Sequence, residues 1–258
     1  MRFCSLGSGS SGNATVVEAT SGITTTRLLV DAGFSLRELE TRLGRAGLAA
    51  TDLDAVFVTH EHSDHIGCAV TLAERHDLPI WMSRGTWRAI DESVRPGRLA
   101  FARDSEPIAL GDLELHPFTV AHDAAEPLQL RCSDGDRGLG ILTDLGSITE
   151  HMLESIAGCA ALVLECNHDE AMLAASRYPP SLRARIGGRY GHLSNTLAVE
   201  ILGHGVGVGL RHLVAAHLSR ENNRPELVRQ ALAATWGSRP RDIVIADPVL
   251  GCAWLDIA

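Results

Sequence analysis

The stretch THEHSDH at residues 59–65 decides the fold, because five of its seven side chains are ionisable or can bind a metal ion. It follows an apolar run over residues 54–59, which predicts a strand buried on both faces. Clustered polar side chains after such a strand would be costly unless a cation compensated them. Imidazole nitrogens and carboxylate oxygens suit Zn, Mn, Fe or Ni better than Ca or Mg. The stretch therefore predicts a transition-metal site at this strand end.

The same arrangement recurs at three later positions, where His122, Asp144 and His217 each follow a predicted strand. α/β proteins place their chemistry at strand ends, so we expect these three residues to join the first cluster. Within that cluster, the first two histidines can bind one cation while the last Asp-His pair binds a neighbouring one. The predicted ligands of two divalent metal ions are His60, His62, Asp64, His65, His122, Asp144 and His217.

The rest of the chain predicts alternating strands and helices without a linker or a break in composition. Ser35 and Glu38 have capping-box spacing at the start of the first helix. Strands are predicted at residues 2–6, 14–19, 27–31, 54–59, 80–83, 113–120, 128–132, 140–143, 160–166, 212–216, 242–246 and 252–256. Further helices are predicted at residues 67–76, 149–156, 194–202 and 224–236. We therefore expect one α/β domain over residues 1–258.

Composition and charge limit the possible partners. A chain of 258 residues that is 45% hydrophobic can bury a full core. Its net charge of −9 disfavours broad electrostatic capture of nucleic acid. A phosphodiester substrate would therefore have to be attracted locally, and bound metal ions could supply that attraction.

The six cysteines are scattered, and no pair forms Cys-x-x-Cys. This favours reduced, mostly buried thiols. No segment has the apolar length needed to cross a membrane, and the first residues lack the hydrophobic core of a signal peptide. The expected location is the cytoplasm, without a membrane partner.

The run His-x-His-x-Asp-His, completed by the later His122, Asp144 and His217, resembles the signature of hydrolases with the metallo-β-lactamase fold. This resemblance implies a four-layer αββα sandwich with the metal site at the strand ends. A narrower resemblance, to YycJ/WalJ-type proteins, covers nearly the whole chain and implies a metal-dependent 5′-to-3′ exonuclease acting on DNA. The segments that carry it are SGSSGN (8–13), LVDAG (29–33), ECNHD (165–169), GHLSN (191–195) and HLSRENN (217–223).

The predicted catalytic residues are Asp64, His192 and Glu165. His192 matches the position at which ribonuclease Z has a His that assists the leaving group. Leu193 and Ser194 follow it where ribonuclease Z has Ser and Thr, and no long arm for transfer RNA is visible, so the YycJ/WalJ resemblance is favoured. Asp64 is predicted to orient the nucleophile while it binds metal. Glu165 either orients His192 or is a capped or solvated residue at a strand end.

Five residues are predicted to contact the phosphates of the substrate: Asn13, Arg189, Ser194, Ser219 and Asn222. Asn13 lies in a Gly/Ser-rich loop, Arg189 in a short basic run, and the others at predicted helix starts, where anions bind. His168 is a weaker candidate, with a surface role as the alternative. The expected partner is a nucleic acid, and the resemblance favours DNA over RNA.

Two other functions stay open. The fold also serves the hydrolysis of thioesters, lactones and small cyclic phosphodiesters. A metal-binding regulatory protein without turnover is the other alternative, although the complete ligand set argues against it. The metal identity, among Zn, Mn and Fe, and the oligomeric state are not determined by the sequence.

Overall fold

Two facing seven-stranded sheets form the centre of the structure. The computed structural model describes residues 1–90 and 98–257. The first sheet has the order β14 (Leu255–Asp256), β1 (Arg2–Gly7), β2 (Ala14–Ser21), β3 (Thr24–Val30), β4 (Ala55–Phe57), β5 (Ile80–Met82) and β6 (Leu99–Phe101). The second has the order β13 (Val244–Ile245), β12 (His212–Ala216), β11 (Ala161–Glu165), β10 (Gly138–Leu142), β9 (Leu128–Ser133), β8 (Leu113–Thr119) and β7 (Ile108–Leu110).

The helices lie along the chain between and after these strands. In chain order they are α1 (Leu36–Arg45), α2 (Ser63–Ile66), α3 (Ala69–His76), α4 (Arg84–Ala89), α5 (Glu150–Ile156), α6 (Glu170–Ala175), α7 (Pro180–Ile186), α8 (Asn195–Ile201) and α9 (Pro225–Trp236). A π-helical turn, Leu202–Val206, continues α8. Short 3-10 turns lie at Ala50–Asp52 and Pro240–Asp242. Across the described ranges, no helix has both the length and the apolar character needed to cross a membrane.

Three apolar clusters separate four layers. Buried side chains from both sheets, such as Phe57 and Leu130, pack between the sheets. Helices α1 and α3 cover the outer face of the first sheet, where Leu39 is buried. Helices α5, α8 and α9 cover the second sheet through residues such as Met152 and Val228. The α/β fold and its αββα layering, predicted from the sequence, are confirmed.

Each sheet is antiparallel in one half and parallel in the other. Strands β14, β1, β2 and β3 pair antiparallel, whereas β3, β4, β5 and β6 pair parallel. In the second sheet β7 to β10 are antiparallel and β10 to β13 are parallel. Parallel strands bring their carboxyl ends to one edge. The loops after β3, β4, β10, β11 and β12 therefore gather the candidate site.

Short elements account for most differences from the sequence predictions. Strands β6 and β7 have three residues each and lie at the sheet edges, which is too short to show a pattern. Helices α4, α6 and α7, with six or seven residues, were missed for the same reason. The predicted helix at 67–76 begins two residues later, as α3, because Gly67 has a φ of 30° and ends the short helix α2 before it.

The predicted capping box at Ser35 is only half formed. The Ser35 hydroxyl accepts a hydrogen bond from the backbone N–H of Glu38 at 3.3 Å, as a helix cap requires. The Glu38 carboxylate instead accepts from Arg42 Nε at 2.8 Å. Arg42 also donates to the carbonyl of Leu6 at 2.7 Å. Arg42, a buried residue of α1 itself, therefore links this helix to the first strand, and Glu38 contacts its guanidinium group.

The close contact between Gly33 and Asp64 generates a stability prediction. A Cβ added to Gly33 would lie 1.7 Å from the Asp64 carbonyl oxygen. We expect Gly33→Ala to lower the free energy of unfolding by about 1–3 kcal/mol, since the backbone must shift. Gly44 in α1 is the matched control, because a Cβ there meets nothing within 4 Å. Gly44→Ala should be neutral or stabilising by up to about 1 kcal/mol. Equal stability of the two variants in chemical denaturation would contradict this account.

Candidate metal centre

One group of histidines lies between the two sheets' ends, where the segment after β4 approaches the segment after β8. Single nitrogen atoms of His60, His62 and His122 all lie within 4.8 Å of one another. His62 Nδ1 is 3.2 Å from His122 Nε2. His60 is fully buried, and its Nε2 has no hydrogen-bond partner among the described residues. These nitrogens converge as the ligands of one cation would.

A second group combines the end of the same motif with a residue after β12. Donor atoms of Asp64, His65 and His217 also lie within 4.8 Å of one another. Asp64 Oδ2 is 3.7 Å from His65 Nε2 and 3.9 Å from His217 Nε2. These separations exceed hydrogen-bond distance and leave room between the three atoms.

Asp144 lies between the two groups. Its Oδ2 is 2.6 Å from His65 Nε2 and 3.2 Å from His217 Nδ1. It also forms a set with His60 and His65 in which the ligand atoms are within 4.8 Å of one another. A carboxylate placed in this way can be shared by two cations.

Unsatisfied buried atoms test whether a metal fits. Within the described part of the chain, His60 Nε2 is buried without a hydrogen-bond partner, and Asp144 Oδ2 and His217 Nδ1 are close to charged or ring atoms but form no hydrogen bond of suitable geometry. Buried polar atoms are normally satisfied, and such exceptions call for an explanation. A divalent cation would satisfy all three, and the N/O donor set suits a transition metal. The residues therefore fit divalent metal ions.

The electrostatics of the site also call for positive charge. Burial lowers the pKa of His65, but Asp144 and Asp31 raise it well above the ordinary value. The two carboxylates therefore favour a positive charge at this position. A proton on His65 supplies that charge here, and a bound cation would supply it in its place. Burial, followed by the charge on His65, lowers the pKa of His60 well below the ordinary value. His60 is therefore neutral, the form that binds metal.

Asp31 contacts His65, one of the predicted metal ligands, and this contact was not predicted from the sequence. Its Oδ2 is 2.7 Å from His65 Nδ1. It also accepts hydrogen bonds from the backbone N–H and the hydroxyl of Thr59, at 2.8 and 2.9 Å. A carboxylate on the far nitrogen of a ligating His fixes its orientation and raises its basicity. Asp31 follows β3, so the strand-end pattern that selected Asp144 could have found it.

Three residues of the site have left-handed backbone conformations. Asp31, Asp144 and His217 have φ values of 61°, 58° and 53°. The described residues contain only two other non-glycine residues with positive φ. Such conformations are uncommon and concentrate at functional sites.

Asn13, predicted to bind substrate, lies against two of the predicted metal ligands. Its side chain is buried, and its Nδ2 is 3.1 Å from His65 Nε2 and 3.4 Å from Asp64 Oδ2. In the same loop, the Ser8 hydroxyl accepts a hydrogen bond from the backbone N–H of His217 at 2.9 Å. The Gly/Ser-rich loop therefore supports the ligands in this structure.

Glu165 contacts His192 beside the metal ligands. Its Oε1 is 2.8 Å from His192 Nδ1, and its Oε2 accepts from the N–H groups of Leu145 and Leu193 at 2.9 and 3.2 Å. Glu165 is fully buried, so the alternative of a solvated strand-end residue is wrong. His192 Nδ1 is also 3.1 Å from Asp144 Oδ1. Burial lowers the pKa of His192, but Glu165 and Asp144 raise it to about 11.

The other predicted substrate contacts differ in burial and in hydrogen bonding. Ser194 caps α8 and donates to Glu170 at 2.9 Å. The Ser219 hydroxyl accepts from the N–H of Asn222 at 3.2 Å. Asn222 is fully buried, and neither polar atom of its side chain has a hydrogen-bond partner in the ranges described. A direct contact of Asn222 with a phosphate would need it to become accessible.

A cavity of about 290 Å³ opens over the metal ligands. Asp64, Asp144 and His192 line it, together with Arg185 of the basic run. Arg185 Nε is 2.6 Å from the carboxylate of Asp123. Arg189, the predicted phosphate contact, is not among the lining residues, and its guanidinium carbon is 5.7 Å from the Tyr190 ring centroid. Of these two arginines, Arg185 and not Arg189 therefore lines the cavity.

The contact between Asp31 and His65 generates a prediction for metal affinity. We expect Asp31→Ala to weaken metal binding by about 10–100-fold, because His65 loses the group that orients it. The affinity can be measured by chelator competition on the purified protein. Asp54→Ala is the matched control, since Asp54 accepts the N–H of Arg27 at 2.7 Å and contacts no predicted ligand. Unchanged affinity in the Asp31 variant would show that His65 is positioned without it.

Comparison with known proteins agrees with this geometry. The family model described as "Beta-lactamase superfamily domain" matches residues 26–217. Exodeoxyribonuclease YycJ of Bacillus anthracis is 36% identical over 236 residues, which are 90% of this chain and 88% of that protein. Exodeoxyribonuclease WalJ of Streptococcus pneumoniae is 31% identical over 236 residues, covering 90% and 86%.

A solved structure supports the fold independently. The metallo-β-lactamase fold protein YhfI from Bacillus subtilis superposes with a TM-score of 0.73 at 19% identity, over 99% of both chains. The sequence matches, the ligand motif and the four-layer architecture point to the same family. The chain belongs to the metallo-β-lactamase fold hydrolases of the β-lactamase superfamily, in the group that contains YycJ and WalJ.

Proposed function

We propose that this chain is a dinuclear-metal-dependent phosphodiesterase that digests DNA from the 5′ end. One observation carries the proposal. The Asp144 carboxylate lies between two sets of converging ligand atoms and also contacts His192. The same carboxylate thus contacts both proposed metal ligands and the proposed proton donor. The names of the relatives YycJ and WalJ, both exodeoxyribonucleases, support DNA as the substrate.

The proposed metal ligands are those predicted from the sequence. His60, His62 and His122 would hold one ion, Asp64, His65 and His217 would hold the other, and Asp144 lies close to both sets. When bound, such ions lower the pKa of water from 15.7 to about 7 and neutralise charge on phosphate oxygens. Zn, Mn and Fe all suit this donor set.

Asp64 and His192 are proposed to act on the substrate directly. The Asp64 side chain is 21% exposed, whereas that of its neighbour His65 is fully buried, so Asp64 can reach an attacking water in the cavity. His192 keeps its proton at neutral pH because of Glu165 and Asp144. It is placed to give that proton to the departing oxygen. Glu165 acts through His192 as a positioning residue.

Substrate is proposed to reach the site through local rather than overall charge. The chain as a whole is acidic, but Arg185 lies on the cavity wall. Ser194, Ser219, Arg189 and Asn222 stay proposed substrate contacts, and Asn13 is proposed to act mainly on the ligands. The six cysteines are free, and five of them are buried, which fits the proposed location in a reducing cytoplasm.

Removing a ligand should abolish turnover. We expect Asp144→Ala and His62→Ala to lose essentially all hydrolysis of 5′-phosphorylated duplex DNA and of bis(p-nitrophenyl) phosphate while staying folded. His204→Ala is the matched control, since His204 is exposed and pairs only loosely with Glu200 at 3.8 Å. End-labelled DNA and RNA, tested with Mn, Zn and Mg, report polarity, sugar preference and metal. Near-normal activity in either ligand variant, or a preference for thioesters, would refute the proposal.

The role of His192 can be tested with the leaving group. Proton donation matters most when the departing oxygen is a poor leaving group. We expect His192→Ala to lower kcat on DNA by about 100-fold or more, with a much smaller effect on bis(p-nitrophenyl) phosphate, whose phenolate leaves without a proton. Glu165→Gln should reproduce part of the defect. Equal losses on the two substrates would assign His192 to metal binding or structure instead.

A further inference from the structure

A second cavity adjoins the metal centre and shares His192 with it. Its volume is about 500 Å³, within the ~300–1,000 Å³ range of small-molecule sites. It lies between α6, α7 and the start of α8. We call it the side pocket, and the residues that define it are His168, Leu173, Ala174, Arg183, His192 and Ser194. None of these, apart from His192, has a role at the metal centre.

The inner wall of the side pocket contains an unsatisfied histidine. His168 is only 3% exposed, and its Nδ1 has no hydrogen-bond partner among the residues that the structure describes. Leaving a buried polar atom unpaired costs about 1–3 kcal/mol. Such a cost is offset if the ring meets a hydrogen-bonding ligand. Burial also lowers the pKa of His168, so its neutral ring can both donate and accept.

Gly187 keeps this pocket open. It ends α7 with φ −84° and ψ 7°, a conformation that any residue can adopt. Its lack of a side chain is therefore not required by the backbone. A Cβ on Gly187 would lie 3.4 Å from Leu173 Cδ2 and 4.0 Å from His168 Nε2. A larger residue here would project against the side chains that line the pocket.

The lining suits an uncharged heterocycle better than a phosphate. Apolar groups from Leu173, Ala174 and Leu197 form much of the wall. The charges of Arg183 and Glu170 have opposite sign and offset each other, which leaves His192, shared with the metal centre, as the remaining cationic side chain of the lining. A nucleobase presents apolar faces and hydrogen-bonding edges, which match this combination.

We propose that the side pocket binds the terminal deoxynucleoside of the DNA strand, the one whose 3′-oxygen departs. This inference rests on the proposed function. A water oxygen forms the new bond to phosphorus, the P–O3′ bond breaks, and its electron pair stays on O3′. The proton lost by the water balances the one that O3′ gains, and His192, which lines both cavities, lies beside this oxygen. The strand keeps the phosphate, and the terminal nucleotide leaves with a free 3′-hydroxyl.

The position of His192 orients the strand. The departing oxygen must lie beside His192, and the group attached to that oxygen then lies toward the side pocket. A pocket of this volume has room for a nucleoside rather than a length of strand. The terminal nucleoside therefore provides the departing oxygen, which is the arrangement of digestion from the 5′ end.

A substrate that lacks the first base tests this assignment. DNA whose first residue is a tetrahydrofuran abasic analogue has nothing to fill the side pocket. We expect wild-type kcat/KM to fall by about tenfold or more on that substrate. Ala174→Trp fills the pocket and should lower kcat/KM on normal DNA to a similar extent, with little further loss on abasic-ended DNA. Ala175→Trp is the matched control, because Ala175 is the next exposed residue of α6 and does not line the pocket.

The outcomes separate the two proposals. Hydrolysis of bis(p-nitrophenyl) phosphate, which has no nucleoside, should be unchanged in Ala174→Trp. If wild-type protein with metal cleaves neither this diester nor DNA, the proposed function fails. If it cleaves normal and abasic-ended DNA equally well, or if the two Trp variants behave alike, the side pocket assignment is overturned and the proposed function stands.

His168→Leu provides a second readout that a structural role would not produce. Loss of an unpaired buried nitrogen should leave the melting temperature unchanged or higher. The same variant should raise the inhibition constant of deoxyadenosine monophosphate against bis(p-nitrophenyl) phosphate about tenfold, with no change for inorganic phosphate. A lower melting temperature with unchanged inhibition by the nucleotide would show that His168 is only structural.

Discussion

The buried charge of Asp144 is the constraint on which the rest of the site depends. Its side chain is 2% exposed. Burial raises its pKa, but His217 and His65 lower it well below the ordinary value, so it stays ionised. An isolated carboxylate in such a place would be strongly destabilising. The surrounding histidines, and the cations they are arranged to hold, make the charge tolerable, and one of its oxygens is left to contact His192.

The sequence was sufficient to predict which residues would meet at this carboxylate. Four of the seven predicted ligands lie within residues 60–65, and the other three follow predicted strands. Parallel pairing brings together the strand ends that carry Asp144 and His217, and β8, which runs in the same direction as β10, adds His122. Asp31 follows the same rule but was not selected, because nothing in a single sequence indicates that its partner is a ring 34 residues away.

Positions that depend on side-chain burial could not be predicted in this way. Asn13 was selected for its position in a Gly/Ser-rich loop and Asn222 for its position at a predicted helix start, yet both are buried. Arg185 and Arg189 are four residues apart in one basic run, and only the first lines the cavity over the ligands. Which member of such a run faces a cavity depends on how α7 packs against its neighbours. His168 shows the same limit, since it is only 3% exposed although a surface position was the predicted alternative.

The ligands are divided between the two sheets, and this has a consequence for assembly. His60, His62, Asp64 and His65 follow a strand of the first sheet, whereas His122, Asp144 and His217 follow strands of the second. Each proposed ion would therefore be held by both halves of the sandwich. A ligand that binds only the folded state stabilises it by about 4.1 kcal/mol at a thousand times its dissociation constant. Binding of the proposed cations would therefore stabilise only the structure in which both sheets are assembled. A chain in which one sheet has not formed would lack a complete set of ligand atoms for either ion.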